Sequence, residues 1–149
     1  MKTVFDKATR DELIGRINTL DENSTAQWGK MNINQMLNHC TKWDEWVSEK
    51  KKNKQFFIGR LFGKKALSNL LKDEKPMPHS VPTIPQLRIT NLEHCDVSDE
   101  KTKWIEQIEA FSHFSNDDFV HTFFGKMTKE QIGYLAYKHA DHHLRQFNS

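Results

Sequence analysis

All four prolines of the chain fall within ten residues, Pro76-Met77-Pro78-His79-Ser80-Val81-Pro82-Thr83-Ile84-Pro85. Each proline fixes its own φ, lacks an N–H, and pushes the residue before it out of helical backbone. No regular helix can run through this stretch, so it is expected to cross between parts of the fold in extended form. Helix-forming sequence is thereby split, and a core has to be assembled from helices on both sides of a long connection. Neither side carries enough periodic apolar sequence for a core of its own. One domain over residues 1–149 is therefore expected.

Upstream of the prolines, the pattern predicts a first helix from Thr9 to Leu20. Thr9 and Glu12 have capping-box spacing, and Leu13, Ile17 and Leu20 recur at helical steps. A second helix is predicted from Asn32 to Glu49, capped by Asn32 with Gln35. Its apolar face is Met36, Cys40, Trp43 and Val47, with Leu37 beside it. Phe56 to Leu71 is weaker, and Phe57, Leu61, Leu67, Leu70 and Leu71 predict one or two short helices interrupted near Gly59 and Gly63. Downstream, Ser98 is the expected cap of a third principal helix from Asp99 to Phe114, with Trp104, Ile105, Ile108, Phe111 and Ser112 inward. A loop containing His121-Thr122-Phe123-Phe124-Gly125-Lys126-Met127 leads to a second capping box, Thr128 with Gln131. That box opens the last helix, which continues through Ile132, Leu135, Ala136, His139, His143 and Phe147. Four principal helices with one long connection after the second predict an all-α bundle.

The net charge of +2 argues against nucleic-acid binding. The one basic concentration, Lys50, Lys51, Lys52 and Lys54 followed by Arg60, Lys64 and Lys65, reads as a solvated loop and helix face. No segment approaches the roughly 20 apolar residues of a bilayer span, and Met1 to Leu20 lacks the uninterrupted apolar run of a signal peptide. A cytoplasmic protein with no membrane partner is expected. Cys40 and Cys95 are too few for a disulfide scaffold and read as reduced, packed thiols. The chain has no G-x-G-x-x-G, P-loop, C-x-x-C or G-x-S-x-G signature.

The chemistry lies in the histidines. Three of the eight fall in the last helix, His139, His142 and His143. His139 and His143, four apart, share one face with Ile132, Leu135 and Ala136, so they point inward. Buried unpartnered imidazoles are costly and would repel one another if protonated, and a shared divalent cation removes both problems. By spacing alone, His139 with His142 shares a face as well. The best third candidate is His39, on the flank of the second helix's apolar stripe. A His pair on one helix and a single His on another would leave positions open on the cation, as catalytic metals require. Gln146 follows His143 by three and can line the same pocket and hydrogen-bond a ligand or a metal-bound water, while His142 reads as a residue behind the ligands or at the boundary. His121 is placed to overhang one end. His79 and His94 are weaker ligand candidates, and Asp141 reads as a surface carboxylate or the partner of a basic residue. Arg145 reads as a last-turn cation.

The tail Tyr137-Lys138-His139-Ala140-Asp141-His142-His143-Leu144-Arg145-Gln146-Phe147 resembles the closing motif of the DinB-like superfamily (DinB/YfiT-like metalloenzymes), and Asn34-Gln35-Met36-Leu37-Asn38-His39-Cys40 resembles its second-helix His motif. Phe124-Gly125-Lys126-Met127-Thr128 resembles, more narrowly, a small bacterial branch of it without assigned function. The resemblance covers nearly the whole chain. It implies an up-down-down-up four-helix bundle with short extra helices and a long crossover between helices 2 and 3. It also implies a metal site at His39, His139 and His143, a cation that is nickel, zinc, iron or manganese, and a homodimer. The implied activity is that of a hydrolase, or of a transferase acting on a low-molecular-weight thiol. His142, Gln146 and His121 are the expected catalytic helpers around a small-molecule substrate. The alternative is a non-catalytic helical dimer or stress-linked binding module whose metal site is vestigial or structural. Asp141-His142 beside the ligand pair departs from better-known relatives and puts transfer of their mechanism in doubt.

Overall fold

The computed structural model describes residues 1–51, 53–79, 81–89 and 96–149. His94 and Cys95 lie outside the described residues, as do Lys52 of the basic stretch and Ser80 of the proline segment. Among the described residues the chain forms five α-helices: α1 (Lys7–Asn18), α2 (Ile33–Ser48), α3 (Phe57–Leu70), α4 (Val97–Ala110) and α5 (Lys129–Gln146). Two strands of two residues each, β1 (Val120–His121) and β2 (Gly125–Lys126), pair antiparallel just ahead of α5.

Helices α1, α2, α4 and α5 form the expected up-down-down-up bundle, with α2 packed on α4 and α5 and α1 packed on the same two. The crossover from α2 to α4 carries α3 and the proline segment, whose described residues form no α-helix or strand and include a 3₁₀ turn at Pro85–Leu87. Proline suits the first position of such a turn because its missing N–H would have no partner there. The core joins Leu13 and Ile17 of α1, Met36, Leu37, Cys40 and Val47 of α2, Trp104 and Ile108 of α4, and Ile132, Leu135 and Leu144 of α5. Cys40 is wholly buried, and burial raises its thiol pKa well above the usual range, as a packed thiol requires.

Both polar capping pairs named for α2 and α5 form. Asn32 accepts from the Gln35 N–H and Gln35 returns to the Asn32 N–H, and Thr128 and Gln131 do the same. The proposed Thr9–Glu12 box does not. Helix α1 starts two residues earlier, after Asp6, and Thr9 is buried inside it. Burial against the bundle outweighs a favourable cap spacing there. Helix α4 likewise starts earlier, capped by Asp96, which accepts from the Ser98 N–H at 2.7 Å, so Ser98 lies within the first turn. It ends at Ala110, with Phe111–His113 a 3₁₀ turn that leaves Ser112 exposed, not inward.

The largest departure is α3, which is continuous through Gly59 and Gly63. A Cβ on Gly59 would stand 2.3 Å from the Phe123 carbonyl oxygen, and one on Gly63 2.1 Å from the same atom. These glycines therefore let the helix lie directly on the β1–β2 tip, and the packing offsets their poor helix propensity. Gln55 Nε2 donates to Phe123 O at 3.0 Å and Phe56 N to Thr122 O at 2.8 Å, which fixes the entry to the helix.

Candidate metal centre

The two capping boxes set the starts of α2 and α5 and so the rotation of every later side chain on them. His39 of α2 and His139 and His143 of α5 meet across the gap between these helices. One ring nitrogen from each lies within 4.8 Å of the others. The Nε2 atoms of His39 and His139 are 3.1 Å apart. Two imidazole nitrogens on one cation at about 2.0–2.1 Å each stand roughly 3.0–3.4 Å apart, so the spacing is that of a chelating pair. Ring centroids are separated by 5.1 Å for His39 and His139, 4.9 Å for His39 and His143, and 4.7 Å for His139 and His143.

The outer hydrogen bonds decide which nitrogens face inward. His39 Nδ1 lies 3.1 Å from the Leu87 carbonyl oxygen, which can only accept, so Nδ1 carries the proton and Nε2 offers a lone pair. Gln146 Nε2 donates to Trp28 O at 2.7 Å, leaving Gln146 Oε1 to accept from His143 Nδ1 at 2.9 Å. The free nitrogen of His143 is then its Nε2. His139 stacks on Trp43, with centroids 4.4 Å apart and an interplanar angle of 19°.

Burial keeps all three rings neutral. Desolvation lowers the pKa of His39 against a smaller raising effect from Leu87, and lowers that of His143 to about 3, helped by the neighbouring His39. His139 is pushed well below its usual value by desolvation first and then by His143 and His39. Two fixed lone pairs aimed into one gap cannot bond to each other, and a single His139 N–H can serve only one of them. A divalent cation would satisfy all three, so the donor set fits such a group.

The cluster opens on a cavity of about 760 Å³. Its walls are mostly apolar, from Trp43 of α2, Leu70 of α3, Met77 and Ile84 of the crossover, and Phe123 and Phe124 of the β1–β2 tip. His121 and His142 also line it. His142 is buried, edge-on to His143 at 5.0 Å and hydrogen-bonded to the Met77 backbone. It lies in the pocket wall against the ring of His143. His121 Nδ1 accepts from the Phe123 and Phe124 N–H groups at 3.1 and 3.2 Å, and burial lowers its pKa to about 4. Gln146 does not face the cavity. Both ends of its amide are occupied, one by His143 and one by Trp28.

His79 is exposed and stacks on Trp28 at 3.9 Å, outside the cluster. Asp141 is buried, bridging Arg16 of α1 at 2.7 Å and Arg145 at 2.8 Å, so it is the partner of basic residues and not a surface carboxylate. Arg145 spends its charge on that bridge. Three contributors are not assigned to the site from sequence: Trp43, which reads there only as part of an apolar face, the Leu87 carbonyl and the Trp28 carbonyl. Trp43 follows His39 by four residues, so helical spacing could have found it. The two carbonyls come from distant loops and leave no side-chain signature.

Residues 4–149 match the protein family described as Protein of unknown function (DUF1569). No curated protein and no solved structure matches the chain.

Proposed function

We propose that this chain, which belongs to the DUF1569 family, is a metal-dependent enzyme that works on a small molecule with a bulky apolar part. The observation that carries this reading is the convergence of His39, His139 and His143, two of them with proton positions fixed so that lone pairs face a common point. A divalent cation held there would supply the Lewis acidity that makes a water or thiol nucleophilic near neutral pH. The chain's own residues do the rest. Leu87 and Gln146 orient two ligands, Trp43 holds the third, and Met77 and Ile84 of the crossover give the cavity an apolar wall. His121 and His142 face the cavity and are the groups placed to orient a substrate or pass a proton.

The reaction class follows as a hydrolase or a thiol S-transferase, in line with the resemblance of both His motifs to the DinB-like superfamily. Nickel, zinc, iron and manganese all suit three imidazoles. That resemblance also supports a cytoplasmic homodimer built from one domain per chain. Metal content of untagged protein, compared with a His139→Ala/His143→Ala double variant, tests the site, and equal content in both would sink it. Metal-loaded protein screened with thiol cosubstrates against electrophiles, and separately with esters, tests the activity. Turnover that His143→Ala abolishes supports an enzyme, whereas no turnover with a fully loaded site favours a non-catalytic binding module.

A further inference from the structure

Helix α3 has two faces of opposite use. Gly59, Gly63 and Leu67 are buried. Away from them, Phe57 is 74% exposed, Ile58 63%, Leu61 62% and Phe62 60%, with Phe56 at 43% just before the helix. At 100° per residue the four helical positions occupy an arc of about 140°. Together the five side chains present roughly 500 Å² of apolar surface, toward the top of the range for a monomer and a size that is often functional. The face is held rigidly, because the opposite side of the helix is locked to the Phe123 carbonyl.

The surroundings of this face are all of one sign. Lys50, Lys51 and Lys54 precede the helix, and Arg60, Lys64 and Lys65 lie on it, all exposed. No Asp or Glu occurs between Glu49 and Asp73. Among the described residues none of these six cations is in an ion pair.

We propose that α3 docks the protein, apolar face down, on the surface of an anionic lipid bilayer. Large apolar side chains with lysine and arginine beside and among them on a short helix suit an interfacial helix: the apolar part sinks to the acyl boundary, and the cations, Lys65 within the apolar arc included, reach the headgroups on their long stems. No helix among the described residues is long and apolar enough to cross a membrane, but a helix lying in the interface plane does not need to be. A second copy of this chain fits the patch poorly. A two-fold contact would set two acid-free basic rims against each other. Single-stranded nucleic acid would use the cations and stack on the phenylalanines, but it would leave the equally exposed Ile58 and Leu61 without a role.

Co-sedimentation of the full chain with vesicles tests this, comparing equimolar phosphatidylglycerol and phosphatidylcholine with phosphatidylcholine alone. The protein is expected to bind the anionic vesicles, to leave them in high salt, and to bind the zwitterionic ones at least about tenfold less. Phe57→Ser/Phe62→Ser and, separately, Lys64→Glu/Lys65→Glu should each cut binding by at least about tenfold. All four positions are exposed, and an unchanged circular dichroism spectrum confirms that the variants fold. The proposal is overturned by no binding to either vesicle, by equal binding to both, or by binding that survives Phe57→Ser/Phe62→Ser. It is equally overturned if the protein ignores vesicles but self-associates in sedimentation analysis through contacts that Phe57→Ser/Phe62→Ser removes, or binds an acidic protein in place of lipid.

Discussion

Gln146 Oε1 lies 2.9 Å from His143 Nδ1, and the other end of the same amide is tied to the Trp28 carbonyl at 2.7 Å. The amide therefore fixes both the proton and the rotation of one ring of the histidine cluster. A side chain of similar length without the amide should leave His143 free to turn and to change tautomer. Gln146→Met is expected to weaken metal affinity by about 10–100-fold while leaving the fold intact. Gly29→Ala should act in the same direction, since its φ of 82° is unfavourable for alanine and the new Cβ would stand 2.7 Å from Gln146 Nε2. Chelator competition reads both. Unchanged affinity in Gln146→Met would mean that His143 does not depend on this bond.

Asp141 sits two residues from both His139 and His143 yet serves the bundle. Its carboxylate joins α5 to α1 through Arg16, whose side chain is 21% exposed, and to Arg145, which is 52% exposed. Asp141→Asn leaves the guanidinium of Arg16 partly buried without a counter-charge and is expected to cost about 2 kcal/mol. Arg145→Ala removes only the more exposed contact and should cost about 0.5 kcal/mol. Urea unfolding of the two variants gives the comparison, and equal losses would show that the exposed bridge matters as much as the buried one.

What could be read from the sequence was what depends on local spacing. The capping pairs Asn32–Gln35 and Thr128–Gln131 are self-contained, and once they set the helix starts, the inward position of His139 and His143 follows from a four-residue step. The proline segment announced a crossover because proline excludes helix wherever it occurs. The meeting of His39 with the α5 pair was harder, since angular position on one helix does not say which neighbour it faces. The family resemblance supplied that step. Residues whose role depends on tertiary context were misread. Thr9 has the spacing of a cap but is buried in a helix that began at Lys7. Gly59 and Gly63 look like breaks because propensity is local, whereas the carbonyl of Phe123, some sixty residues away in sequence, makes their missing side chains a requirement. Phe57 and Leu61 have the helical spacing that the sequence shows, but spacing does not tell that they are exposed.

Gly63 and Gly15 separate close packing from helix propensity. Both sit inside helices, but a Cβ at Gly63 would meet a backbone oxygen at 2.1 Å, and one at Gly15 meets nothing within 4 Å. Gly63→Ala must push α3 off the β1–β2 tip or distort it, and is expected to destabilise by about 1–3 kcal/mol. Gly15→Ala adds no clash and restricts the unfolded chain, so it should stabilise by about 0.4–1 kcal/mol. Thermal or urea unfolding of the two single variants reads the opposite signs. A stable Gly63→Ala would show that the tip can yield without loss.

Acid should weaken the fold through His121, which is buried against Trp46 and Phe124. Its folded pKa is depressed to about 4 by desolvation, below the usual 6.5. The unfolded chain therefore takes up the proton first as pH falls. The stabilising contribution is whole above about pH 6.5 and is lost as pH drops toward the folded pKa, by up to about 1.4 kcal/mol per pH unit. Between about pH 7.5 and pH 5 the loss from this residue should come to about 2 kcal/mol. His121→Asn keeps an acceptor for the Phe123 and Phe124 N–H groups but cannot titrate. Stability measured in chelator, so that metal binding does not add its own pH dependence, should fall more steeply for the parent protein than for His121→Asn across this interval. Parallel curves would mean that His121 takes up no proton on unfolding, and that its ring is charged or hydrated within the fold.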